Sequence, residues 1–124
     1  MLENKDYCDY DTCVALKELS FNTLVDGYFN ENKIIVSPLA RWRSTSIPRI
    51  SLYEAQKWLR EEKKIEVNAT YDNVVELHWH WYMKSLTNRN QTTSIINYDS
   101  YEQALLAGIK VAVKILKDNE TIYE

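Results

Sequence analysis

The length, composition and charge of the chain are those of a single globular domain. Its 124 residues are 45% hydrophobic and 27% charged, which is enough apolar material to bury a core without disulfides or a structural metal. The formal net charge of −3 gives no general attraction to nucleic acid or to an anionic membrane. Gly27 and Gly108 are its two glycines, so the glycine-rich loops of nucleotide-binding and serine-hydrolase motifs are excluded.

The N-terminal segment predicts a cytoplasmic protein. MLENKDYCDYD is polar and acidic, without the basic and apolar regions of a signal peptide. No apolar run approaches the ~18 residues that a membrane span requires, so no membrane association is expected. Cys8 and Cys13 are too few for a disulfide framework, and we expect a reduced pair.

The first half of the chain predicts a helix followed by a hairpin. The helix should begin at Asp9 or Asp11, both good N-cap residues, and end near Leu19. Two β-prone runs within residues 23–36 flank a polar turn, which is typical of a hairpin. Residues 39–50 show no regular pattern and are predicted to be a loop.

The second half predicts a helix, a second hairpin and a last helix. A capping box, Ser51 with Glu54, opens the second helix. Its apolar stripe consists of Leu52, Ala55, Trp58 and Leu59. The second hairpin covers residues 65–86 and turns at Asp72–Asn73, and a short extra strand is expected over residues 94–98. The last helix should begin at Asp99 or Ser100 and end near Leu116.

This order of elements predicts the fold class. Helix, hairpin, helix, hairpin and helix follow one another across residues 1–124. Hairpins give antiparallel pairing, and three amphipathic helices need an apolar surface to cover. We therefore expect one small α+β domain with two layers, in which three helices pack on one face of an antiparallel sheet of about four strands.

The stretch ELHWHWYM, residues 76–83, alternates strictly between apolar and polar side chains. The odd positions from 75 to 83 are apolar, and the even ones carry His78, His80 and Tyr82, which predicts a half-buried strand with the histidines on the open face. An HxH pair beside Glu76 could in principle hold zinc or iron, but a site needs further ligands from another element, and no other histidine exists. We predict no metal and no cofactor. His78, His80 and Tyr82 remain candidate residues for binding a ligand.

A basic loop offers a second candidate binding region. Arg41, Trp42 and Arg43, with Arg49 nearby, could contact phosphates and stack a base. The alternative is a surface loop in which Trp42 folds onto the core and the arginines pair with local acids. Because the chain is acidic overall and lacks any established nucleic-acid motif, nucleic-acid binding is disfavoured.

The apolar residues of the last helix cover well over half of its circumference. Leu106 and Val113 extend the apolar arc beyond what covering one sheet face needs, and Ile109 lies beside them on the core side. Either this helix is sandwiched between its neighbours, or these three residues contribute to self-association. The sequence leaves both alternatives open.

Four segments follow one another along the chain: DTCVALKELSF, GYFNENKIIVS, IPRISLYEAQKWLREEKKIEV and YDSYEQALLAGIKVAVKIL. Together they resemble a family of small uncharacterised proteins from Bacteroides-type gut bacteria and their phages. The resemblance implies a shared fold and a role as an accessory protein of a bacterium or phage, and it implies no catalytic residue. The chain departs from the family at Ser20, where a glycine is usual and would cap the first helix.

The sequence as a whole predicts a small non-enzymatic accessory protein that acts through protein–protein contacts and self-associates. No catalytic motif is present. The alternative function is binding of single-stranded nucleic acid or a small ligand by the basic Trp42 loop and the polar face of the strand at residues 74–86.

Overall fold

The fold combines three α-helices with two small antiparallel sheets in the part of the chain that the structure describes. The structure, a computed structural model, describes residues 2–23, 25–30, 32–36, 46–72, 78–94 and 96–122. The helices are α1 (Tyr10–Glu18), α2 (Leu52–Glu62) and α3 (Tyr101–Ile122). The strands are β1 (Tyr28–Phe29), β2 (Ile35–Val36), β3 (Ile47–Pro48), β4 (Ile65–Asp72), β5 (His78–Ser85) and β6 (Gln91–Thr93). The first sheet has the order β2-β1-β3 and the second β4-β5-β6. The predicted α+β class is thus confirmed, with the strands divided between two sheets.

The helices begin where the sequence predicted caps. The Asp9 side chain accepts a hydrogen bond from the backbone N–H of Thr12 and caps α1. Ser51 and Glu54 form the complete capping box of α2. The predicted stripe of α2 is buried in full: Leu52, Ala55, Trp58 and Leu59. Local side-chain chemistry therefore sets where these helices start.

The C-terminus of α1 ends in a left-handed residue that is not glycine. Phe21 N–H donates to Leu16 O at 3.0 Å, and Ser20 N–H donates to Lys17 O at 2.9 Å. This bond pattern is a Schellman motif, which normally places glycine where Ser20 stands. Ser20 has φ 79 there. Positive φ also occurs at Lys33, Lys64 and Arg89.

The first sheet contains the predicted hairpin and one strand that was not predicted. Strand β1 (Tyr28–Phe29) pairs with β2 (Ile35–Val36), and the Asn30 side chain closes the turn by accepting from the backbone of Asn32 and Ile34. The loop prediction for residues 39–50 was wrong at its end. Strand β3 (Ile47–Pro48) pairs with the other side of β1.

The second sheet carries the longest strands of the described residues. Strand β4 (Ile65–Asp72) pairs with β5 (His78–Ser85), from Ile65 opposite Ser85 to Asp72 opposite His78. Asp72, the first residue of the turn predicted at Asp72–Asn73, is thus still paired in the strand, and Asn73 lies outside the described residues. The extra strand is β6 (Gln91–Thr93), which pairs with β5. It lies just before residues 94–98, where the sequence predicted it.

Side chains cover part of the outer edge of β4. Gln56 on α2 donates from its amide to Val67 O at 2.8 Å. Asn68 Oδ1 accepts from Ala69 N–H at 3.0 Å. These contacts satisfy backbone groups that point away from β5 and would otherwise face solvent.

Helix α3 lies directly on the second sheet. A Cβ added at Gly108 would lie 2.8 Å from Val67 Cγ1 and 2.9 Å from Trp81 Cβ, so only glycine fits this approach. Ser100 Oγ accepts from Gln103 N–H at 3.1 Å and caps the helix as predicted. The helix continues past its predicted end to Ile122. No helix within the described ranges is both long and apolar enough to cross a membrane.

Candidate functional site

The HWHW stretch lies in β5, and its side chains alternate between the two faces of the second sheet. Trp81 and Met83 are buried on the face that α3 covers. His78, His80 and Tyr82 are half-buried and point to the opposite face. The predicted alternation is therefore present in residues 78–85, while residues 73–77 lie outside the described part.

The face that carries the histidines is a polar surface. The register places Thr70 opposite His80 and Asn68 opposite Tyr82, and Thr93 follows on the other side of Tyr82. Among the described residues, no group of three or more His, Cys, Asp or Glu is positioned to hold a metal ion. Ligand binding by His78, His80 and Tyr82 stays a prediction.

The predicted basic loop is described only at Arg49. The guanidinium of Arg49 stacks over the Tyr7 ring at 3.7 Å from its centroid, and its Nη2 donates to Asn4 Oδ1 at 2.7 Å. Arg49 is therefore engaged by the N-terminal segment rather than presented to a phosphate. Arg41, Trp42 and Arg43 lie outside the described residues, so their role in binding stays a prediction.

Two of the three residues predicted for self-association lie inside the core. Ile109 is fully buried and Val113 is 5% exposed. Leu106 is half-buried and packs against the core. The burial of Ile109 and Val113 fits the alternative in which the last helix is packed between its neighbours, because α1, α2 and the second sheet all contact α3. Ile109 and Val113 therefore serve mainly as core residues, and a role of Leu106 in self-association stays a prediction.

The groove between α1 and α3 has an acidic wall and a basic wall. The N-terminal half of α1 contributes Asp9, Asp11, Thr12 and Ala15, α3 contributes Lys110, Val113, Lys114 and Lys117, and the groove holds about 370 Å³. Lys110 Nζ lies 2.8 Å from Asp9 Oδ2, and Lys117 Nζ lies 3.2 Å from Glu18 Oε2. Within the described ranges, exposed Asp11 and Lys114 have no ion-pair partner. We call this feature the α1–α3 groove.

The ion pair at the start of the α1–α3 groove shifts the pKa of its carboxyl group. Partial burial would raise the pKa of Asp9, but hydrogen bonds from Lys110 and Thr12 favour the charged carboxylate and leave the pKa lowered. Asp9 is thus held as an anion that both caps α1 and ties α1 to α3. This fixes the two walls of the α1–α3 groove relative to each other.

The second surface is a line of aromatic side chains across the second sheet. Tyr71 is opposite Trp79 in the register, and Trp79 is opposite Tyr98 in an isolated bridge. The Tyr71 and Trp79 ring centroids are 5.1 Å apart, and Tyr101 packs edge-on against Trp79 at 5.5 Å. We call Tyr71, Trp79 and Tyr98 the aromatic row. Tyr71 is 43% exposed, and the other two are half-buried.

A bulge beside the aromatic row exposes an isoleucine. Ser94 N–H donates to Trp81 O, and the chain next pairs with β5 at Tyr98. The Ser94 hydroxyl donates to Ile96 O at 3.0 Å and closes the bulge. Ile96 is 62% exposed. Bulges of this kind often redirect side chains at functional sites.

The sequence contains all of these aromatic residues but does not reveal the row. Its three members come from separate segments, and only the strand register aligns them. The strict alternation of β4 and β5 is the signal that could have placed Tyr71 and Trp79 on one face. Pairing of Tyr98 with Trp79 has no local sequence signal.

The two cysteines form a buried pair of free thiols. Cys13 Sγ donates to Cys8 O at 3.7 Å and accepts from Ile50 N–H at 3.5 Å. A hydrogen bond with Cys13, together with burial, raises the pKa of Cys8 well above its usual range. Both thiols are thereby used in packing the N-terminal segment against the start of α2.

Comparisons with known proteins add no relative. The chain matches no protein-family model, no curated protein and no solved structure. The resemblance to small proteins of Bacteroides-type bacteria and their phages therefore stays a prediction.

Proposed function

We propose that this domain acts through protein contacts rather than catalysis, and that it pairs with a second copy of itself across the α1–α3 groove. One observation carries the proposal. Asp11 and Lys114 are exposed on opposite walls, without an ion-pair partner among the described residues. The neighbouring charges are already neutralised within the chain, so these two remain available for a partner.

A two-fold rotation makes the α1–α3 groove complementary to itself. In a two-fold dimer the same surface patch meets its own copy, so the acidic wall of one chain faces the basic wall of the other. Asp11 of each chain then approaches Lys114 of the other, which forms two equivalent ion pairs. Such pairs determine orientation and partner choice more than affinity.

The floor of the α1–α3 groove supplies only a small apolar contact. Ala15 and Val113 line it, and Val113 is almost fully covered within its own chain. Interfaces at the small end of the known range belong to weak and transient complexes, so we expect a reversible dimer that requires protein concentrations up to about 1 mM to populate.

Exchange of the two charges tests the proposal by sedimentation equilibrium. Asp11→Lys places lysine opposite lysine in the dimer, and Lys114→Asp places aspartate opposite aspartate. Each variant alone should be monomeric, because like charges across an interface repel. An equimolar mixture should form a 1:1 heterodimer, because both of its ion pairs join opposite charges. Lys57→Asp, on the exposed side of α2, makes the same net charge change as Lys114→Asp and should dimerise like the wild type.

Two results would reject the proposed dimer. The first is a wild-type protein that stays monomeric throughout the concentration series. The second is a mixture of the two charge variants that sediments as monomers while the wild type dimerises, because the dimer would then use another surface. Thermal unfolding of each variant establishes that the proteins compared are folded.

A further inference from the structure

We infer that the aromatic row and the adjacent bulge bind an extended, proline-containing segment of another protein that carries an arginine. The inference is independent of self-association, because the aromatic row lies on the second sheet and the α1–α3 groove is formed by helices. It rests on ring geometry, exposure and charge, and each of these restricts the partner.

The geometry of the rings gives a firm and partly open platform. Trp79 lies on the sheet face that α3 covers, and Tyr101 at the start of α3 packs against one side of it in an edge-to-face contact. Tyr71 contacts Trp79 at 5.1 Å but leaves 43% of its own surface to solvent. Tyrosine and tryptophan are the residues that most often supply binding energy at protein interfaces. The exposed Ile96 extends the apolar surface on the bulge side.

The charge around the aromatic row disfavours phosphates and favours a basic group. Residues 69–71, 78–80 and 96–103 contain Asp99 and Glu102 but no lysine or arginine. Asp99 is exposed and directly follows Tyr98. Lys5 approaches Glu102 at 3.8 Å, and among the described residues no ion pair involves Asp99. An arginine of the partner can stack on an aromatic ring and pair with this carboxylate.

The spacing of the aromatic row matches a polyproline helix. Neighbouring strands lie ~4.8 Å apart, so Tyr71 and Tyr98, two strand spacings apart, are separated by about 9.6 Å. A polyproline II helix rises ~3.1 Å per residue with three residues per turn, so every third residue recurs after about 9.3 Å. A Pro-x-x-Pro segment lying across the strands would therefore place one proline at each end of the row. Aromatic-lined surfaces recognise such segments in this way.

Titration with synthetic peptides tests the inference. The probe is a ten-residue peptide with Pro-x-x-Pro followed by arginine, added to isotope-labelled wild-type protein and followed by NMR. Shifts of the Trp79 and Ile96 signals should yield a dissociation constant. The Tyr71→Ala variant should bind at least ~10-fold more weakly, as expected for an interface anchor. Leu86→Ala is the matched control, because Leu86 is 44% exposed and lies at the opposite end of β5.

A second variant keeps the test informative if Tyr71→Ala does not fold. Asp99→Lys changes only an exposed charge and should weaken binding by about 5-fold, with less dependence on salt. Equal affinity for a peptide with both prolines replaced by alanine would refute proline recognition. Competitive binding of oligothymidylate, lost in Tyr71→Ala, would instead make the aromatic row a base-stacking platform. Absence of peptide binding at about 1 mM, where even weak contacts register, would overturn the inference.

Discussion

Replacing Ser20 with glycine should stabilise the protein, because Ser20 adopts a backbone conformation in which glycine carries no strain. Its φ is 79 in the Schellman motif that ends α1. In this left-handed region the Cβ of an L-residue crowds the next carbonyl oxygen and costs about 1–2 kcal/mol. The greater freedom of glycine in the unfolded chain offsets about 0.5–1 kcal/mol of that gain. The expected net increase in the free energy of unfolding is therefore about 0.5–1 kcal/mol.

Urea denaturation measures this change directly. The urea midpoint should rise for Ser20→Gly without a change in slope, and the melting temperature should rise by about 2–4 °C for a domain of this size. Asn22→Gly is the control, because Asn22 is exposed and its φ is not positive. Glycine at this position should only lower the free energy of unfolding, because it increases the freedom of the unfolded chain. If both variants lose stability equally, the left-handed conformation of Ser20 carries no strain and the reasoning fails.

Three further predictions concern the packing of α3 and its tie to α1. Gly108→Ala should lower the free energy of unfolding by about 1–2 kcal/mol, because the new Cβ would overlap the second sheet, although alanine has the better helix propensity. An unchanged urea midpoint would mean that α3 can move away from the sheet at little cost. Val113→Lys should lower the free energy of unfolding by about 3 kcal/mol or more, because it buries an unpaired charge. Leu106→Lys should stay folded. If circular-dichroism melts show an equal loss of stability for both variants, Leu106 belongs to the core too. The lowered pKa of Asp9 means that its ion pair stabilises the protein above the ordinary carboxyl pKa and is lost as the pH falls through the folded value. Asp9→Asn keeps a capping side chain, so its stability should fall less than that of the wild type between about pH 5 and pH 3, by a few tenths of a kcal/mol after solvent screening; identical pH profiles in urea titrations would contradict this role.

Features that depend on neighbouring residues were predictable from the sequence. The caps at Asp9 and Ser51 and the buried stripe of α2 follow from chemistry within one or two helical turns. The alternation in β5 likewise follows from strand geometry alone. These local patterns were sufficient for the α+β class, because each amphipathic element needs a partner that covers its apolar face.

Features that depend on pairing between distant segments were not predictable. Strand β3 has only two residues, and its pairing with β1 leaves no periodic pattern in residues 47–48. Strand β6 is exposed throughout, so it lacks the apolar positions by which strands are recognised. The aromatic row depends on the register of three segments. Likewise, the burial of Val113 depends on where α1 packs, which the broad apolar arc of α3 does not specify.

The amide contacts along β4 determine how this protein can be approached. A bare strand edge binds any extended chain through backbone hydrogen bonds, whatever its sequence, and is therefore open to aggregation. Because Gln56 and Asn68 occupy backbone groups on that edge, indiscriminate strand addition is obstructed there. In the complexes proposed above, charges and aromatic rings would then distinguish one partner sequence from another. A peptide bound to the aromatic row as proposed would cross the strands and would not extend the sheet.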